Sequence, residues 1–262
     1  MSPALPEPAE HALAVLRRAR AGGERFVGAL LPGASALRWQ AAAVADEWAA
    51  ANLDTHHAAG PLWVVLGDGA SLGVGASTRT AGYVCLVADA LRADDAAGRA
   101  DARAPVGRGT DAPWRVANLA RVGADLDDVL TRQLPALEAL TATAPAALVT
   151  CVAGAADVLG RPGGVDVRLR ALLAALPAGA VVGTLPAMRR NRGAMVLNAV
   201  LREEAARRGL RVVDVWVDSA RRGRWFGAAY HPNDVGHAAW ADAVLAAVRR
   251  GVGQAGGSAA AD

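Results

Sequence analysis

Apolar residues fall along this chain in two alternating rhythms. Short continuous runs end in small or turn-forming residues, and longer stretches between them repeat apolar positions at helical spacing. The strongest run is Leu62-Trp-Val-Val-Leu66, bounded by Pro61 and Gly67, and it reads as a buried parallel strand. Further strands are expected at Trp114–Leu119, Ala147–Val152, Ala180–Leu185 and Leu210–Val217. Helices are expected over residues 78–93, 124–140, 164–176 and 191–208, with a last one ending near Arg250. The helix at 124–140 carries Leu126, Val129, Leu130, Leu134 and Leu137 at helical spacing. Strands alternating with helices predict a parallel sheet covered on both faces.

Helical periodicity over 9–20 and 36–52 precedes the first strand. Residues 1–58 are therefore expected to form an N-terminal helical extension packed on a core domain of residues 59–250. The Gly/Ala/Ser-rich tail, 251–262, reads as disordered.

The first strand runs into Gly67-Asp-Gly-Ala-Ser-Leu-Gly-Val-Gly75. In open α/β folds the ligand lies beyond the carboxyl ends of the strands, so this loop is the first place to look for function. Ser71 lies two residues past Gly69, about 200° around a helix from it, and reads as a turn or cap hydroxyl. Ser77 reads as the N-cap of a helix starting at Thr78. Asp68 and Asp157 read as loop ties that accept backbone N–H groups. His237 falls on the last helix and reads as structural. His56 and His57 are adjacent and make a poor metal site, so no metal is expected.

Composition narrows the picture further. The 262 residues suffice for one large α/β domain, with 53% hydrophobic and 20% charged positions. All basic charge is arginine, and lysine and isoleucine are both absent, which points to a GC-rich genome. The net charge is only +3, and the Arg pairs at 17–18, 189–190, 207–208, 221–222 and 249–250 are dispersed toward helix ends. That suits helix dipoles and gives no stripe for nucleic acid. The start of the chain lacks a basic leader and a long apolar run, so a cytoplasmic protein without a membrane span is expected. Cys85 and Cys151 read as small buried hydrophobes, and no disulfide is required. Gly67-x-Gly69-x-x-x-Gly73 is a weak dinucleotide or S-adenosylmethionine pattern. The second strand, ending Val116-Ala-Asn-Leu-Ala-Arg121, lacks the acidic residue such a site wants, so no cofactor is expected.

With Gly67-Asp68 after the first strand, Asn118-Leu119…Gly123 after the second, Gly154-Ala-Ala-Asp157 after the third and His231-Pro232 before the last helix, residues 60–248 resemble the SGNH (GDSL-type) hydrolases, in particular actinobacterial members. The resemblance implies a flavodoxin-like α/β/α sandwich whose five-stranded parallel sheet has the order 2-1-3-4-5. It also implies acyl-transfer chemistry built from a nucleophilic Ser, an oxyanion hole and a His oriented by an Asp.

Carried over position by position, the resemblance is lopsided. Gly123 matches the oxyanion Gly and His231 the base. The nucleophile position is Gly69, the oxyanion Asn is replaced by Ala156, and the triad Asp by Ala228. Asp68, Ser71, Asn118, Gly154 and Asp157 would surround the cleft. Asp234 or a backbone carbonyl would have to orient His231 in place of the lost Asp. The reading is a catalytically degenerate hydrolase that binds an acyl- or ester-like small molecule or a protein partner. The alternative is an active or altered hydrolase in which His231 activates a water.

Overall fold

The computed structural model describes residues 34–55, 58–100, 112–160, 163–185, 192–215 and 231–258. Five parallel strands form one sheet: β1 (Leu62–Gly67), β2 (Arg115–Asn118), β3 (Leu148–Val152), β4 (Val181–Gly183) and β5 (Arg211–Val213). Their order is β2-β1-β3-β4-β5, as expected. Each strand begins within a residue of the predicted start. β4 and β5 are shorter than predicted: their paired residues end at Gly183 and Val213, and the last backbone bond between them runs from Thr184 N to Val213 O (2.9 Å).

The helices are α1 (Ala34–Thr55), α2 (Gly69–Leu72), α3 (Tyr83–Ala100), α4 in three stretches (Leu126–Asp128, a π-helical Val129–Gln133, Leu134–Thr141), α5 (Ala155–Gly160), α6 (Val165–Ala175), α7 (Arg192–Arg207) and α8 (Asp234–Ser258). The segment 9–20 and the pair His56-His57 lie outside the described residues. The last helix runs to Ser258, past the end expected near Arg250. No described helix is long and apolar enough to cross a membrane.

β1 shows why its unbroken apolar run is a central strand. Trp63 and Val65 face one cluster with α1, α3 and α8, while Leu62, Val64 and Leu66 face a second with α4, α5, α6 and α7. Every residue of the strand is buried, so alternation would have left a polar group inside a layer. The one polar side-chain atom that β1 buries, Trp63 Nε1, donates to Thr150 Oγ1 on β3 at 3.0 Å.

Arginines do more than complement helix dipoles. Buried Glu204 on α7 takes Arg207 at 2.5 Å, Arg208 at 3.3 Å and Arg170 from α6, which ties the two helices together. Arg249 pairs with Asp94 across α8 and α3 at 2.9 Å. Cys151 is buried and free; Cys85, also free, is only half-buried, with Arg79 Nη1 3.7 Å from its sulfur.

Candidate active site

Backbone bonds draw three loops to the carboxyl edge of the sheet. Arg121 N donates to Gly67 O (3.1 Å), which sets the loop after β2 beside the end of β1. Asp68 N donates to Val152 O (3.3 Å), which does the same for the loop after β3. Gly67 has φ +149, and a Cβ there would lie 2.3 Å from Val152 O, so only glycine permits this approach.

His231 comes to this edge from the far end of the chain. A Cβ on Gly69 would lie 3.1 Å from Nε2 of His231 and 3.4 Å from Val74 Cγ2. The imidazole thus faces the position where the resemblance would put a nucleophile. Gly123, at φ +71, has open space where a side chain would project, and Ala156 is half-buried at the start of α5. Gly154 has φ +101, and a Cβ there would meet Leu185 at 2.3 Å. Ala228 lies outside the described residues.

The other predicted residues mostly stabilise these loops. Asp68 caps α2 by accepting from Ala70 N (3.0 Å). Desolvation pushes its carboxyl up to about 6, against the lowering effect of that bond. Asp157 accepts from Leu126 N (2.9 Å) and meets Arg168 (3.3 Å), and burial raises its pKa too.

Ser71 is not a turn or cap hydroxyl. It lies within α2, fully buried, and its Oγ shares a hydrogen bond with Tyr83 Oη at 2.9 Å. Asn118 is also closed off: its Nδ2 donates to Ser71 O (2.8 Å) and its Oδ1 accepts from Ala120 N (3.1 Å). Ser77 does not cap the helix. Thr78 caps a short 3₁₀ turn at Arg79–Ala81, and α3 starts at Tyr83. Asp234 is turned to Ser77, accepting its N–H at 2.6 Å, so this carboxylate ties the start of α8 to the loop after α2.

His237 is fully buried on α8. Its Nδ1 accepts from Tyr83 N (3.3 Å), so Nε2 carries the proton and donates to Val74 O (3.3 Å). Burial holds its pKa down to about 4, and the ring is neutral.

Gln133 was missed in the sequence, where it reads as one polar residue on an amphipathic helix. It is buried, and its side-chain amide grips both backbone groups of Gly67. Oε1 accepts from Gly67 N (2.8 Å) and Nε2 donates to Gly67 O (2.9 Å). Nε2 also reaches Asp128 Oδ2 (3.1 Å), and Asp128 pairs with Arg121 at 3.2 Å. The π-helical turn ending at Gln133 puts the amide in place, and local widenings of this kind recur at functional sites. The sequence did carry a signal: Gln133 lies seven residues after Leu126 and four before Leu137, on the apolar face of its helix.

Among the described residues, no three His, Cys, Asp or Glu side chains converge as metal ligands would. The described groups can polarise or accept a proton through His231 and offer backbone N–H groups. They provide no hydroxyl or thiol at position 69.

No protein-family model matches the sequence, and no curated protein matches it either. Solved structures do match the fold. One is Axe2, an acetylxylan esterase from Geobacillus stearothermophilus, with TM-score 0.54 and 18% identity over 73% of this chain and 95% of that one. Another is the psychrotrophic esterase EstA from a Pseudoalteromonas species, with TM-score 0.54 and 18% identity over 74% of this chain and all (100%) of that one. A two-domain esterase active on acetylated mannans matches with TM-score 0.52 and 17% identity, over 72% of this chain and 48% of its own. With the sheet order and the loop landmarks, these likenesses give the chain the fold of the SGNH (GDSL-type) esterases.

Proposed function

We propose that this chain is a degenerate member of the SGNH esterases that binds an acyl- or ester-like small molecule at its sheet edge without hydrolysing it by the serine route. The observation that carries this reading is the pairing of His231 with a residue that has no side chain. The imidazole is in place, and the group it would activate is absent at Gly69. Ala156 and Ala228 stand where the resemblance calls for the oxyanion Asn and the triad Asp. In serine hydrolases loss of the nucleophile alone costs on the order of 10⁶ in turnover. Loss of a side-chain oxyanion donor costs roughly 10²–10³. These effects overlap and are not multiplied, but the first is sufficient to silence ester hydrolysis.

The test pairs binding with turnover. Short acyl esters and their phosphonate analogues are titrated while the amide signals of Gly69 and Gly123 are followed by NMR, and the esters are assayed for product. The expected result is saturable shifts at both glycines with the ester intact. Turnover that is lost in His231→Ala would favour a His231-activated water. Neither binding nor turnover across acetyl and butyryl esters and thioesters would overturn the proposal.

A further inference from the structure

The loop from Val74 to Ser77 is held between two helices that are far apart in sequence. On one side, the α8 region meets it three times. His237 Nε2 donates to Val74 O (3.3 Å), Asp234 accepts from Ser77 N (2.6 Å), and the His231-Pro232 segment lies on Gly75. The last approach leaves no room for a side chain: with φ +97, a Cβ on Gly75 would lie 2.3 Å from Pro232 O and 2.8 Å from His231 Cβ. No side chain separates the two backbones, so a displacement of Gly75 is passed directly to His231.

On the other side stands α1. Gln40 uses its side-chain amide as Gln133 uses its own: Oε1 accepts from Gly75 N (3.1 Å) and Nε2 donates to Ala76 O. Elsewhere α1 binds different backbone. Trp48 Nε1 donates to Leu72 O (2.9 Å), Asn52 exchanges two bonds of 2.8 Å with the backbone of Asn118, and Thr55 Oγ1 donates to Val116 O (3.0 Å). Of these four side chains, only Gln40 bonds the residue on which His231 rests.

We infer that Gln40 is a positioning residue for His231. By fixing Gly75 from the α1 side, it sets how closely the imidazole approaches Gly69. A planar amide fixes a backbone unit in both distance and rotation, which one hydroxyl or an apolar contact cannot do. The inference concerns where the imidazole sits, and it holds whichever chemistry the cleft performs.

The experiment compares Gln40→Met, which removes both bonds at nearly constant volume, with Thr55→Val, which loosens α1 at β2. Two signals are read on the intact chain, with His231→Ala used to assign the ring: the NOE between the His231 ring protons and the Gly69 α-protons, and the His231 titration midpoint. Gln40→Met is expected to lose the NOE and to move the midpoint as the ring's surroundings change. Thr55→Val is expected to lower Tm and leave both signals as in the parent. Gln40→Glu keeps an acceptor for Gly75 N but sets a carboxylate oxygen against Ala76 O, and is expected to leave the NOE weaker than in the parent. The inference is overturned if Gln40→Met lowers Tm with both signals unchanged, or if Thr55→Val moves them as much as Gln40→Met does.

Discussion

The imidazole of His231 rests against Gly69, with Nε2 3.1 Å from the point a Cβ would occupy. That separation is tighter than an ordinary van der Waals contact between a nitrogen and a methyl carbon. A side chain restored at position 69 must therefore push the ring back by a few tenths of an ångström.

This sets how the site responds to rebuilding. Gly69→Ser alone returns a hydroxyl but crowds His231, and should give no more than trace ester hydrolysis. Adding Ala228→Asp should orient the ring, a role whose loss costs about 10⁴ in a serine protease. Ala156→Asn should then add roughly 10²–10³ through the oxyanion. Because such groups act as a unit, most of the gain should appear only in the triple variant. A folded triple variant no better than the parent on acetyl, butyryl and thioester substrates would show that these three positions are not what keeps the site from hydrolysis.

Two glycines with positive φ should differ sharply. Gly75→Ala places a Cβ 2.3 Å from Pro232 O, while Gly123→Ala meets nothing within 4 Å. Gly123→Ala should cost only the left-handed backbone penalty of about 1–2 kcal/mol. Gly75→Ala should cost more and should displace His231. Equal losses in urea denaturation would contradict the close approach at Gly75.

Replacing Gln133 with Leu leaves the buried N–H of Gly67 without its acceptor. The expected loss is about 1–3 kcal/mol, the cost of an unsatisfied buried donor. A loss within about 0.5 kcal/mol, as for ordinary surface substitutions, would remove Gln133 from the account.

Acid stability turns on two opposed groups. His237 has a folded pKa of about 4, below the ordinary value near 6.5, so its contribution is lost as pH falls from about 6.5 toward 4. Asp68 is raised to about 6, so it binds its proton more readily when folded and adds stability as pH falls from about 6 toward 4. Each shift is worth on the order of 3 kcal/mol, and for the partly exposed Asp68 that is an upper figure. Asp68→Asn keeps an N-cap acceptor for Ala70 but removes the offset. It should lose more stability than the parent between pH 6.5 and 4. Parallel curves for the two proteins would contradict this assignment.

The sheet was legible because parallel strands buried on both faces leave continuous apolar runs, as in Leu62–Leu66, and their spacing gave the order of elements. The position of His231 over Gly69 was legible only through the resemblance, since 162 residues of chain separate the two. The tertiary work of polar side chains was not legible. Gln40, Asn52 and Gln133 fall at helical spacing with apolar residues (Val44, Trp48 and Leu126 among them), but spacing does not say which group an amide will meet, and all three bond the backbone of the site loops. Such spacing places a glutamine on the buried face, but not against the peptide group that it will grip. Ser71 was misread for the opposite reason: a hydroxyl in a glycine-rich turn suggests a cap, but its partner is Tyr83, 12 residues on.

The absence of an activated nucleophile beside His231 is tested most directly by treating the unmodified protein with a fluorophosphonate probe and reading its intact mass. The account predicts an unchanged mass under conditions that label a serine esterase completely. A stoichiometric adduct, mapped to Ser71 or to any other hydroxyl and lost in His231→Ala, would contradict it.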